Sequence, residues 1–455
     1  MGIDSEAATA WDAILAGESE MEMDLCGGLA DRMREGRLTF GGRLLCPFLR
    51  PFFLDAADEA RVTRASEALW RLGERLAQVA PGDEALMRAL GLTDGEIALA
   101  RIDPGPGPAS TAARADAFLL PDSLEFAEYN AESPAGPAYS QRLNEAFDAG
   151  PMMPRFKEAF NTRFYTPLDS ILAALLQTYR EWSGTSATPR MAIVDWREVP
   201  TWSEFELLRD AFVAAGVPTT IHDPRDLVFD GSGLFAAGRR IDFVYRRVLI
   251  NDILARPEEC GALVEAYRAR AVCVANSLRC KIPHKKAFFA VLTDTRYHHL
   301  FDRADLDAIE GHVPWTRPVD ATIADRVRAG REQFVLKPND EYGGTGVTLG
   351  WETEPAAWDA AIARAVRDGE WIAQQRIAIR REIFPVCDGS RVVRRDMLVD
   401  FAPYLFRGRV SGFLTRLSAT GLANVTSGGG QVPAFVVERR SAGSEDPAYD
   451  QRLDL

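Results

Sequence analysis

The chain is short of the features that mark several large functional classes. Positive charge is in deficit: 53 Lys and Arg against 66 Asp and Glu leave a net charge of −13 over 455 residues, which excludes the basic footprint that nucleic acid requires. Histidine is rarer still at five residues, and the six cysteines, Cys26, Cys46, Cys260, Cys273, Cys280 and Cys387, form no Cys-x-x-Cys pair and stand at no zinc spacing with histidine. A zinc site of the usual pattern is therefore excluded, and the cysteines are expected as free or buried thiols in a reducing compartment. No apolar run reaches the length of a membrane span. The opening Met1-Gly2-Ile3-Asp4-Ser5-Glu6 has neither the basic nor the apolar segment of a secretory leader, so a cytoplasmic location is the expectation. With 47% hydrophobic and 26% charged residues the composition is that of an ordinary folded enzyme-sized chain, long enough for about three domains.

What is present concentrates in two segments far apart. Residues 333–347 read Gln-Phe-Val-Leu-Lys-Pro-Asn-Asp-Glu-Tyr-Gly-Gly-Thr-Gly-Val. An apolar strand delivers Lys337, and a loop of Tyr342, Gly343, Gly344, Thr345 and Gly346 follows. Amides of such a loop can wrap phosphate oxygens that the lysine neutralises, which suits a nucleoside triphosphate. A P-loop is excluded because Gly346 is followed by Val347 and not by Lys-Ser/Thr. A protein kinase places its glycine loop before the strand lysine, and Asp400-Phe401-Ala402, which mimics a kinase Asp-Phe-Gly, has no catalytic-loop partner. A plain strand, turn and surface lysine would give the same local pattern.

The second segment is 114–136. It alternates as two short strands around Pro121-Asp122-Ser123. Glu128 and Asn130 are two apart, so both point to one face, and Asp116 on the first strand can lie opposite them. Two carboxylates and an amide oxygen in one cluster suit Mg²⁺, which prefers hard oxygen ligands and keeps part of its shell for water and phosphate. Solvated acids on an exposed hairpin are the alternative.

Together these segments resemble the ATP-grasp ligases, such as D-alanine:D-alanine ligase and the glutathione synthetases. The resembling residues are Arg114-x-Asp116, a turn, Glu128-x-Asn130 and a Ser-Pro-x-Gly tail. In the usual ligases this hairpin follows the phosphate lysine, whereas here it precedes Lys337. The chain is therefore similar to circularly permuted ATP-grasp proteins of the glutathionylspermidine synthase-like kind. Permutation is physically permissible because loops at the surface can be cut and rejoined without disturbing a core.

The resemblance implies an α/β (α+β) ATP-grasp fold, ATP and Mg²⁺ as cofactors, and a set of roles. Asp116, Glu128 and Asn130 would hold magnesium. Arg114 would stabilise the acyl centre, Lys337 and one of Lys285 and Lys286 would contact phosphate, and Arg416 would sit on the transferring γ-phosphate. Gln374 and Gln375, with Ile377 beyond them, would form the adenine hinge, where the ligases usually carry a glutamate. Glu382 would bind the ribose, and Asn424, Gly428 and Gly429 would form a second turn cradling substrate carboxylate. The implied activity is an ADP-forming carboxylate–amine ligase working through an acylphosphate, with residues 340–347 closing over the site. Its substrates would be an amino acid, a small peptide or a polyamine. A small-molecule kinase or a non-catalytic nucleotide-binding module are the alternatives.

The intervening chain divides by pattern. Residues 1–99 are expected to be mainly helical, with Asp55 capping a helix and Arg43 to Phe53 forming an irregular apolar plug. A permuted ATP-grasp segment occupies 100–188, a substrate domain 189–280 and the nucleotide-binding domain 281–455. In the substrate domain apolar strands alternate with helices, which predicts a parallel sheet covered on both faces. Ligands bind beyond the carboxyl ends of such strands. Asp195, Tyr245, Arg246, Arg247, Asn276 and Ser277 fall there, and the two arginines could anchor an acidic substrate group.

Overall fold

Four short strands, three of them fully buried, build a parallel sheet in the order Cys273–Ala275, Phe243–Arg246, Met191–Val194, Thr219–His222. The two central strands are buried along their whole length, because helices such as Pro167–Ser183 and Trp202–Ala214 cover them. The computed structural model describes residues 2–17, 22–40, 42–341, 343–389, 391–420 and 429–440. Among them no helix is long and apolar enough to cross a membrane.

The second architectural unit is a six-stranded antiparallel sheet that joins distant parts of the chain. Its order is Gly430–Val432, Arg409–Ser418, Arg391–Phe406, Ala112–Leu119, Leu124–Asn130, with Arg381–Asp388 also pairing to Arg391–Phe406. The acidic hairpin of the N-terminal half thus docks onto a strand of the C-terminal half, with Ala117 opposite Phe401 and Arg114 opposite Tyr404. Across from it stands a smaller antiparallel sheet in the order Thr316–Pro318, Trp371–Gln375, Phe334–Pro338, Thr348–Leu349, which carries Lys337.

The N-terminal region is helical with short strands inserted. Asp55 caps the helix Ala56–Val79 by accepting from the Asp58 amide at 2.7 Å. The apolar plug is pinned from both sides: Trp11 on the helix Ile3–Gly17 donates to the Leu49 carbonyl at 2.8 Å, and Phe52–Leu54 adds a parallel strand to Ala434–Arg439. Gly430 lies beneath this plug, where a side-chain carbon would come within 2.8 Å of the Leu45 carbonyl and the Phe48 ring. Close approach explains that glycine.

The thiol expectation needs correction. Cys26, on the helix Glu22–Glu35, is disulfide-bonded to Cys387 on the strand Arg381–Asp388. Cys46, Cys260, Cys273 and Cys280 are free and buried. The pairing was illegible because it closes a separation of 361 residues, which no spacing rule covers. Closing so long a loop restricts the unfolded chain, so reduction should cost about 2–4 kcal/mol. Denaturant midpoints with and without reductant will show it, and Cys387→Ser should abolish the difference.

Candidate active site

The register of the acidic hairpin decides what faces the site. Arg114 lies opposite Asn130 and Asp116 opposite Glu128, but Ala117 pairs with Phe126, so Ala127 is an extra residue in the ladder. Such a bulge frees a backbone group from pairing and re-aims its neighbours. The Ala127 carbonyl is used: it accepts from Lys337 Nζ at 2.9 Å. Gln374, 2% exposed, takes a second proton of that ammonium on Oε1 at 2.6 Å. The lysine strand and the acidic hairpin therefore meet directly.

Lys337 is poised electrostatically. Shielding from water, with Lys286 adding to it, brings its ammonium down to about 8 against the opposing pull of Glu128, Asp116 and Asp400. The two lysines expected to compete for a phosphate role are separated by their partners. Lys285 is 4% exposed, its amine bound to Glu96 at 2.7 Å and Asp340 at 2.6 Å. Lys286 instead reaches the Glu341 carbonyl and stands 3.7 Å from Glu128. A small cavity lined by Ala127, Glu128, Lys286, Phe289 and Gln374 lies between them.

The other end of the hairpin is a cluster of opposite charges. Arg114 Nε donates to Asp116 Oδ1 at 2.8 Å, and Arg416 Nη2 donates to Asp116 Oδ2 at 2.6 Å. Burial alone would raise the Asp116 carboxyl, but Arg114 and Arg416 outweigh it and hold the group well below the usual carboxylate range. Arg416 also pairs with Asp400. Burial pushes Asp400 up to about 6 despite that arginine.

Asp400 is the residue that motif reading missed, having been matched only to a kinase pattern it does not complete. The turn gives a signal one residue out of register. Arg407 and Gly408, both with positive φ (49° and 81°), form the two-residue turn that joins the strands Arg391–Phe406 and Arg409–Ser418. Counting outward from that turn sets Thr415 opposite Asp400, and it is the register shift between Tyr404 and Leu405 that brings Arg416 there instead.

The donor set fits a hard divalent cation. The Asp400 Oδ1 and Asn130 Nδ2 atoms are buried without a hydrogen-bond partner. The amide orientation of Asn130 is an assignment, and the flipped form offers its oxygen at the same place. Among the described residues no group of three His, Cys, Asp or Glu side chains could hold a metal alone. A partial oxygen shell is what magnesium carried on phosphate needs, and Asp116, Glu128 and Asn130 are the residues that would supply it, Asp116 by exchanging a contact with Arg114 or Arg416.

The remaining expected residues fall into two groups. Arg246, fully buried, donates to the carbonyls of Asn276 (3.1 Å) and Val248 (2.6 Å) and pairs with Glu132 at 3.3 Å. The Asn276 side chain donates to the Ala112, Ala131 and Glu132 carbonyls and accepts from the Ala112 amide, while the Ser277 amide donates to the Ala109 carbonyl. These three lock the parallel sheet to the hairpin and do not face open space. Arg246→Met leaves Glu132 short of a counter-charge, so it should destabilise by about 3–5 kcal/mol in urea titration.

Arg247, Tyr245 and Asp195 are different. Arg247 Nη1 donates to the Pro134 carbonyl (2.7 Å) and to the Tyr245 hydroxyl (3.0 Å), and its Nε is buried without a partner. Burial pushes the Asp195 carboxyl nearby up to about 6. Arg114 meets the same hairpin tail at the Ala135 carbonyl, 3.1 Å away. Gly136 closes that tail at φ 108°, where a side-chain carbon would lie 2.3 Å from the Tyr404 hydroxyl.

At the expected adenine end, Gln375 is exposed and Ile377 buried. Glu382 is engaged by Arg50 at 3.0 Å and by Arg380. Gly343, Gly344 and Gly346 all have positive φ, between 65° and 77°, in an exposed turn with Thr345. Gly429 is buried beside the strand that begins at Gly430. Tyr342, Asn424 and Gly428 lie outside the described residues.

Residues 124–425, well over half of the chain, match the family model for circularly permuted ATP-grasp type 2. The chain belongs to that family. The circularly permuted ATP-grasp match opens inside the hairpin, so Arg114 and Asp116 enter the site through strand pairing from just before it. A Frankia alni protein provisionally named glutamate–cysteine ligase 2-3 is 28% identical over 213 residues, 44% of this chain and 24% of that protein. A Frankia casuarinae protein provisionally named glutamate–cysteine ligase 2-2 is 25% identical over 246 residues, 50% of this chain and 28% of that one. The chain spans about a quarter of the length of these curated relatives. A glutathione synthetase-like effector from Globodera pallida, solved in its apo form, superposes with TM-score 0.60 at 12% identity, covering 92% of this chain and 97% of that one. That is a likeness of fold.

Proposed function

We propose that this circularly permuted ATP-grasp protein is an ADP-forming ligase that joins a carboxylate to an amine, with amino acids as the substrate class. The observation that carries the reading is the direct contact of Lys337 with the Ala127 bulge beside Glu128, which sets two cations against two acids and an amide. Lys337 and Lys286 hold the triphosphate, and Arg416 meets the charge that spreads over the transferring phosphoryl oxygens. Magnesium, when bound by Asp116, Glu128 and Asn130, offsets phosphate charge.

A substrate carboxylate oxygen attacks the γ-phosphorus, the bond to the β-phosphate oxygen breaks, and ADP leaves. The amine then adds to the acyl carbon, where Arg114 faces the developing oxyanion. Collapse expels inorganic phosphate with the electron pair, and the amine proton leaves to solvent. The provisional names of the Frankia relatives favour amino-acid partners over polyamines.

The test uses the whole chain with ATP, Mg²⁺ and pooled amino acids and polyamines, reading ADP and new amides by mass spectrometry. Amide formed in step with ADP is expected. A phosphorylated product that no amine captures would make it a kinase, and ATP binding without ADP under any pool would make it a nucleotide-binding module.

A further inference from the structure

Two lysines held side by side repel each other, and something other than nucleotide must keep them together before ATP arrives. Lys286 and Lys337 come from separate stretches of chain, and the charge of Lys286 disfavours the Lys337 ammonium. The tie between the two stretches runs through residues 339–341. The Lys286 amide donates to the Asn339 carbonyl at 3.0 Å, the Ala287 amide to Asn339 Oδ1 at 2.7 Å, and the Lys286 ammonium to the Glu341 carbonyl. Asp340 stands at the centre, with Oδ1 2.7 Å from Lys281 Nζ and Oδ2 2.6 Å from Lys285 Nζ.

We propose that Asp340, clamped by Lys281 and Lys285, is the positioning residue that fixes Lys286 and the end of the Lys337 strand in the spacing a nucleoside triphosphate needs. The inference rests on the ATP-dependent function proposed above. Lys281 and Lys285 are 1% and 4% exposed, and each has a second carboxylate: Glu132 lies 3.2 Å from Lys281 and Glu96 2.7 Å from Lys285. The ledger of charge is even. Lys281, Lys285 and Arg246 face Glu96, Glu132 and Asp340, while burial lowers His284 to about 4 and leaves it neutral near pH 7.

Because the lysines keep Glu96 and Glu132, they stay in place when Asp340 loses its charge. What comes loose is the segment 339–341, and with it the spacing of the phosphate lysines. Glu96 serves the same two lysines from the helix Asp94–Ala100, outside that segment, so it is the matched control.

The experiment compares Asp340→Asn with Glu96→Gln in the full chain, by calorimetric titration with ATP and Mg²⁺, by steady-state kinetics, and by amide exchange at Lys286, Ala287 and Asn339 without nucleotide. Asp340→Asn is expected to weaken ATP binding about tenfold, to raise KM for ATP more than it lowers kcat, and to speed exchange at those three amides. Glu96→Gln is expected to lower the melting temperature while leaving affinity and exchange near wild type. Equal effects in both variants, or unchanged affinity and exchange in Asp340→Asn, would overturn the proposal. If Asp340→Asn does not fold, Asp340→Glu keeps the ion pairs but displaces 339–341 by one methylene. A smaller loss of affinity is then expected, and none overturns the inference. Should the wild type bind no ATP, the ligase reading fails, and the exchange comparison still decides whether Asp340 positions Lys286.

Discussion

Lys337→Met should cut ADP production by about a hundredfold to a thousandfold, while the unfolding midpoint stays close to wild type. The rate loss follows from removing a fixed cation from the charge that develops in phosphoryl transfer, where a single preorganised donor accounts for about 10²–10³. The fold is spared because Met keeps the aliphatic stem, and removing an ammonium that burial disfavours offsets the lost partner of the Ala127 carbonyl and Gln374. A Met variant that released ADP within about tenfold of wild type would remove Lys337 from the site.

The same lysine gives a pH signature of opposite signs. Its folded value of about 8 lies below the 10.5 of an unfolded lysine. Between those values the unfolded chain holds a proton that the folded chain has released, so stability without nucleotide rises with pH across that window. ATP binding needs the ammonium, and affinity should fall above about pH 8. Lys337→Met should lose both slopes.

The sequence carried the fold wherever period and turn chemistry agreed. Buried four-residue strands between helices are legible from Met191–Val194 and Phe243–Arg246, and Asp55 announces its helix by cap chemistry. Glu128 and Asn130 share a face because side chains alternate along any strand. The bulge at Ala127 was not legible, since no residue type there demands one, and it is the bulge that gives Lys337 its carbonyl.

Burial separated residues that motif reading had to treat alike. Lys285 and Lys286 are neighbours of one type, yet one is spent on Glu96 and Asp340 and the other faces Glu128. Arg246 and Arg247 divide in the same way. The strand's alternation sends one side chain into the hairpin strut and the other towards Tyr245 and Pro134.

Arg416→Met should cut turnover by about a thousandfold or more and also destabilise the protein by about 3–5 kcal/mol, because the arginine serves two purposes that one substitution removes together. Its Nη2 lies between Asp116 and Asp400, so losing it leaves two buried carboxylates facing each other without their shared cation. One of them must then hold a proton, and Asp400, already raised to about 6 by burial, is the one to take it. An unfolded Asp near 3.8 has released that proton, so the variant should grow less stable as pH rises from about 4 through the raised folded value. The double variant Arg416→Met with Asp400→Asn removes the repulsion without restoring the cation. It should recover most of the lost stability and none of the turnover, as read by urea titration and ADP release. Recovery of both would mean that Arg416 acts only by holding the two acids apart, and the transferring phosphoryl group would need another cation.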